Sequence, residues 1–150
     1  MKKLFVMLLL VQASVIFSQE VVIKSLKTFT TKDANSIPVL SSPRDLLTID
    51  FDVQAEYPPN IHIIFEFCDR NWNATDNIFL ANQGQNTAYT FNYFSLPTTV
   101  EDAKYHYTNT FPDKDGYVSF PFSGKWKFYI VDSQNYDLIF AEGRFFVVKA

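Results

Sequence analysis

The side chains able to do covalent or acid–base chemistry are few: one cysteine, Cys68, and two histidines, His62 and His106, in 150 residues. Cys68 closes the apolar run 61–67. A reactive thiol needs exposure and neighbouring positive charge, and Arg70 two positions on is the one cation at hand. Burial as a small hydrophobe is the expectation for Cys68. Nucleophilic catalysis needs a base within reach of the nucleophile. His62 falls on the polar side of an alternating run, and His106 stands between Tyr105 and Tyr107. Both histidines are therefore read as hydrogen-bonded structural residues. A zinc site wants clustered Cys, His and carboxylates, and Cys68-Asp69 with a distant His106 is no cluster. The acidic segment Asp113-Lys114-Asp115-Gly116 has Phe111 and Phe122 where a calcium loop needs an oxygen ligand and a glutamate. A tight turn on Asp-Gly accounts for it. No catalytic residue, metal or cofactor is expected.

The elements that would position these residues repeat with a period of two. In 47–54, Leu47, Ile49, Phe51 and Val53 alternate with polar residues, which is the pattern of a half-buried strand. In 61–68 the alternating set is Ile61, Ile63, Phe65 and Phe67; in 126–130 it is Trp126, Phe128 and Ile130. The closing run 138–148 puts Phe145 and Val147 on one face and Arg144, Phe146 and Val148 on the other. Further strands are expected at 21–29, 37–40, 89–96 and 104–111. Pro, Gly, Asn and Asp fall between these runs, where turns are needed. Seven or eight short strands in this rhythm predict an all-β, immunoglobulin-like antiparallel β-sandwich. With a single cysteine it would have no disulfide.

Residues 1–18 are a separate object. Lys2 and Lys3 precede an apolar stretch, and small residues lead into Gln19-Glu20, the layout of a secretory signal peptide. The expected division is a signal peptide, 1–18, and one sandwich domain, 19–150. Cleavage would leave eleven basic and sixteen acidic residues, a net charge of −5. Such a balance excludes nucleic-acid binding through a basic surface. Sixteen Phe, eight Tyr and two Trp exclude a disordered chain.

Several segments are more specific than composition explains. Phe67-Cys68-Asp69-Arg70-Asn71-Trp72 leaves a strand end. Lys104-Tyr105-His106-Tyr107, Phe111-Pro112-Asp113, Ser123-Gly124-Lys125-Trp126 and Arg144-Phe145-Phe146-Val147 follow in order. Together they resemble the N-terminal domain of the type IX secretion system plug protein family, over nearly all of 21–149. That family shows Cys-Asp-x-x-Trp, Tyr-x-His-Tyr, Phe-Pro-Asn, Ser-Gly-Asn-Tyr and Arg-Phe-x-Val at these places. This sequence departs from it at Phe67, Lys104, Asp113 and Lys125-Trp126, with swaps that keep aromatic bulk and turn propensity. Cys68, Asp69, Trp72, Tyr105, His106, Tyr107, Pro112, Ser123, Gly124, Trp126, Arg144 and Phe145 are the motif and structural residues that the resemblance marks.

The resemblance implies the first domain of a longer protein, a non-enzymatic accessory of type IX secretion. Such a protein is exported to the periplasm and associates peripherally with the outer membrane. There it would bind the outer-membrane translocon barrel and close its pore, with no nucleic acid and no small-molecule cofactor. The loop after Cys68 and the 98–104 connection are long for a sandwich, and long loops carry function. Trp72, Asn73, Asn77, Phe79 and Asn82 in the first loop mix aromatic anchors with amides suited to an interface. A carbohydrate-binding module is the alternative, using Trp72, Tyr93, Tyr105, Tyr107, Tyr117 and Tyr136 as a platform. A coplanar row of three exposed rings would favour it.

Overall fold

A computed structural model describes residues 18–30 and 36–149; the expected signal peptide lies, but for Ser18, outside the described residues. Nine strands form: β1 (Val22–Phe29), β2 (Val39–Leu40), β3 (Leu47–Gln54), β4 (Ile61–Cys68), β5 (Thr87–Ala88), β6 (Tyr93–Ser95), β7 (Tyr105–Phe111), β8 (Gly124–Asp132) and β9 (Ile139–Val147). They make two sheets, ordered β1-β3-β7-β6 and β2-β9-β8-β4-β5. The alternation read from the sequence decides which side of each strand faces in. Ile49, Phe51 and Val53, Ile61, Ile63 and Phe65, Trp126, Phe128 and Ile130, and Phe145 and Val147 are all buried. Burial of apolar faces between two layers makes this a β-sandwich.

Three expectations for the strands are corrected. The 89–96 segment is not one strand. β5 pairs with β4 in the five-stranded sheet, β6 pairs with β7 in the other, and residues 89–92 cross between the layers. That split raises the count from seven or eight to nine. The 37–40 segment shrinks to two residues, and β2 runs parallel to β9 (Val39 opposite Phe146), so the second sheet is mixed rather than wholly antiparallel. Pro38 has no N–H to donate to a ladder, but its carbonyl accepts from Phe146 N at 2.8 Å and starts that pairing.

The core is built around Phe65. Its ring meets Phe111 of the opposite sheet at 5.0 Å and Phe120 of the β7–β8 connection at 5.1 Å, both edge to face. Phe128 and Phe145 of its own sheet lie at 6.2 and 6.1 Å. Trp126 packs beside this group, 5.3 Å from Phe67 and 5.2 Å from Phe120. Its indole N–H donates to the Phe122 carbonyl at 3.1 Å, so the polar atom of a fully buried side chain is satisfied. Gly143 lies opposite Phe128 in the β8–β9 ladder, and a Cβ there would collide with the Phe128 ring. Covering a strand glycine with a cross-strand aromatic ring recovers buried area the glycine cannot supply.

Trp126→Ala should lower the unfolding free energy by about 3–5 kcal/mol, the range for a large aromatic removed from a core. Gly143→Ala should cost about 1–3 kcal/mol by overpacking. Urea unfolding followed by circular dichroism measures both; wild-type stability in Trp126→Ala would show that the indole is not packed as described.

Candidate interaction site

The Cys68–Trp72 motif forms a clasp at the end of β4. Cys68 lies opposite Lys125 in the β4–β8 ladder, on the outer face of the sheet, yet it is buried. The chain folds back beside it: Cys68 bridges to Ala74, and Thr75 N donates to the Phe67 carbonyl at 3.0 Å. Burial pushes the thiol pKa up, with Lys127 acting the other way. Cys68 is a packed thiol. Asp69 makes the turn, its carboxylate accepting from Asn71 N at 2.7 Å and Asn73 N at 3.0 Å. These bonds, that from Asn73 first, hold the Asp69 carboxyl below its ordinary value. The turn sets Trp72 in the left-handed region, φ +66°, and lays its ring on the outer face of β8 and β9. Lys125 Nζ and the Arg144 guanidinium each lie 5.0 Å from the ring centroid, and Phe146 meets it edge to face at 5.3 Å. Cations over an indole face are attracted to its quadrupole. Lys125 Nζ also donates to the Arg70 carbonyl, tying the clasp to β8.

The Ser-Gly-Lys-Trp segment closes the same end. Ser123 Oγ accepts from Lys149 N at 2.8 Å. Gly124 has φ +148°, and an added Cβ would come within 2.7 Å of the Phe67 ring. Phe145 is buried and Arg144 exposed, so the Arg-Phe pair serves both faces of β9. Pro112 is exposed beside an apolar cleft lined by Leu40, Phe120 and Val147.

Tyr105-His106-Tyr107 divides its side chains between the faces of β7. Tyr107 points inward and is buried, stacked on Phe51 at 5.1 Å and on Tyr93 at 5.1 Å. Burial, with the neighbouring Tyr93 and Tyr105 phenols, pushes its pKa up to about 12. Tyr105 donates to the Glu56 carbonyl at 3.5 Å. His106 faces outward between two carboxylates of β3, with Nε2 2.7 Å from Asp50 Oδ1 and Nδ1 2.7 Å from Asp52 Oδ1. The triad locks β7 to β3. His62 bonds Tyr136 through Nδ1 at 2.7 Å, and burial pushes its pKa down against the pull of Asp132. Among the described residues no group of three or more His, Cys, Asp or Glu could hold a metal ion. The Asp113 carboxylate accepts from Tyr117 N and Val118 N, and Gly116 has φ +79°. Segment 113–116 is a turn.

Asn73 and Asn77 bond within the loop after Cys68, and Asn82 ties it to the β7–β8 connection. Asn73 Nδ2 donates to Asp69, Asn77 Oδ1 accepts from Phe79 N, and Asn82 Nδ2 donates to the Ser119 and Gln85 carbonyls. The loop is therefore held in shape, and it presents Ile78 and Phe79 to solvent, 68% and 82% exposed. Phe79 stood out in the sequence. Ile78 did not, because only a folded loop shows that neither finds a core. In the 98–104 connection Val100 is exposed and Ala103 buried.

The surface rings do not form a flat platform. Tyr89 and Tyr117 cross at 86°, and His62 crosses Tyr89 at 84° and Tyr136 at 76°. Tyr93 is stacked within 23° of Tyr107, but Tyr107 is buried beneath it. Trp72 is flanked by Lys125 and Arg144. A sugar platform needs several rings in one plane, and apart from Tyr93 on the buried Tyr107 these rings meet edge to face.

The family described as type 9 secretion system plug protein, 1st domain, matches residues 23–149. Among solved structures the chain is similar to a hypothetical protein from Parabacteroides merdae ATCC 43184, with a TM-score of 0.64 and 22% identity. The similarity covers 84% of this chain and 32% of that one; it is a likeness of fold, to less than half of a longer protein. No curated protein matches.

The clasp predicts a local dependence on pH. The Asp69 carboxyl titrates lower folded than unfolded, so its contribution is complete above the ordinary carboxylate value and is lost as pH falls through the lowered one. The Trp72 indole resonance should shift toward that of a mobile side chain in this acid range, while Trp126 stays put. Asp69→Ala should show the shifted Trp72 signal at neutral pH; an unmoved signal would mean the turn does not hold the ring.

Proposed function

The chain belongs to the type 9 secretion system plug protein family, as a first domain, and from that premise we propose that it is a non-enzymatic accessory of type IX secretion. In this reading it is exported to the periplasm, associates with the outer membrane, binds the translocon barrel there and closes its pore. The observation that carries the reading is the match over 23–149. The geometry supports it in a second way. Closing a pore calls for a stiff body with contact groups on its surface. Here an aromatic core supplies stiffness, and the hydrogen-bonded loop after Cys68 holds Ile78 and Phe79 outward. Exposed apolar side chains on an ordered loop suit a protein contact, since they can be buried at small cost in conformational entropy. The polar groups that a catalytic site would need are paired with one another: His106 with Asp50 and Asp52, His62 with Tyr136.

Capture by the type IX translocon barrel in detergent tests this. The wild-type protein should be retained. The double variant Ile78→Ser, Phe79→Ser and a variant with 76–84 shortened should each bind at least about tenfold more weakly, since burying one such side chain is worth about 1.5–3 kcal/mol. Failure of the wild-type protein to bind would overturn the reading; equal binding by all three would move the contact to another surface.

A further inference from the structure

A sandwich has four sheet edges, and unguarded edges invite another strand. Three of the four are guarded. β1 carries Lys24 and Lys27, and its ladder with β3 is interrupted between them, with Ser25 at φ +54°. β2 is two residues long. β5 is equally short, and its outer side is engaged by the Asn86–Val118 bridge and the bond from Ser119 N to the Gln85 carbonyl. The β6 edge is one residue longer, carries no charge, and among the described residues no other segment bridges to its outer side. Its residues Tyr93, Phe94 and Ser95 are uncharged and exposed, Tyr93 48% and Phe94 54%.

The backbone of this edge is already in register for a further strand. Thr108 N donates to the Asn92 carbonyl, and Leu96 N donates to the Lys104 carbonyl, so the hydrogen-bonded pairs with β7 fall at 92, 94 and 96. Antiparallel ladders alternate, and the N–H and C=O groups of Tyr93 and Ser95 therefore point away from β7. Among the described residues they meet no partner. On the inward side of β6 lies a cleft of about 190 Å³, lined by Pro59, His62, Phe91, Tyr93 and Tyr107. A residue paired with Tyr93 would project to the same face of the sheet, into this cleft.

We propose that the β6 edge is a binding site for an extended segment of a partner protein, which adds as an antiparallel strand beside Tyr93–Ser95 and places an apolar side chain in the cleft. The length of the edge selects this occupant over a second copy of the chain. Five residues in register, 92–96, span roughly 17 Å, so two copies meeting edge to edge would touch along one short strand pair and bury little of the roughly 1,200–2,000 Å² that stable association of two folded bodies requires. A single strand with one anchoring side chain fits that length. The proposal does not depend on the identity of the barrel partner.

The test uses a dye-labelled, uncharged peptide of alternating threonine and leucine, titrated against the whole protein by fluorescence anisotropy. Leucines paired with Tyr93 and Ser95 would make the backbone bonds and also fill the cleft. Methylating the leucine nitrogens should therefore abolish binding, and methylating the threonine nitrogens should leave it intact. Ser95→Pro removes the outward N–H without touching the ladder to β7, and should weaken binding about tenfold or more at unchanged melting temperature, the worth of a good hydrogen bond with its lost geometry. If Ser95→Pro fails to fold, the two methylated peptides still decide. No binding to the wild-type protein, or equal binding of both methylated peptides, would overturn the proposal. A concentration-dependent dimer that Ser95→Pro abolishes, without peptide binding, would give the edge to a second copy instead.

Discussion

The two sheets are fastened by the meeting of Phe65 on β4 with Phe111 on β7, ring against ring at 5.0 Å. Cys68 is free, so no disulfide joins the layers among the described residues, and dispersion and burial must do so. A single edge-to-face pair adds about 0.5–1.5 kcal/mol beyond its buried area, a modest term alone. Phe65 shares its ring with Phe120, Phe128 and Phe145 as well, and such a group holds only if every member is placed. The demand propagates outward. Phe120 must be drawn in from the β7–β8 connection, Trp126 must fit beside it, and two glycines must leave room for rings, Gly143 under Phe128 and Gly124 against Phe67.

A core so placed leaves the outer faces to be settled by polar chemistry, and each settles differently. On the four-stranded sheet, His106 is clamped by Asp50 and Asp52 across the β3–β7 ladder. On the five-stranded sheet, Trp72 is brought back by the Asp69 turn and lies with Lys125, Arg144 and Phe146. The first group pairs an imidazole with carboxylates across the ladder, and the second sets two cations against a ring. The motif residues of the family are thus mostly architectural in this chain. Among the apolar groups left exposed are Ile78 and Phe79 on a braced loop and Tyr93 and Phe94 on the β6 edge. The two surfaces would bind by different physics, one by side-chain burial and the other by backbone pairing.

Much of the fold was legible in the sequence because a two-residue period reports which side of a strand is dry. Leu47 to Val53, Ile61 to Phe65 and Trp126 to Ile130 all bury the side that their alternation indicates. The burial of Cys68 was also expected, but its reason was not. It lies on the outer face, between Lys125 of β8 and Ala74 of the returning chain. The clasp residues stood out as a motif, whereas their use did not, since the cations over Trp72 come from β8 and β9, more than fifty positions along the chain. Among the loop amides, Asn82 looked free because its partner Ser119 comes from a connection 37 positions along the chain, whereas the bond of Asn77 to Phe79 N is a local turn.

Local pattern by itself determined an all-β domain and the inward faces of the long strands, because those follow from alternation and hydrophobicity within each segment. Only the tertiary structure decided the pairing. It sent β5 and β6 to different sheets although they are consecutive, and it laid β2 parallel to β9. Among the described residues it also left the outer side of β6 without a bridging segment. Strand partners are set by contacts between distant segments competing for the same ladder, and no short stretch of sequence carries that competition.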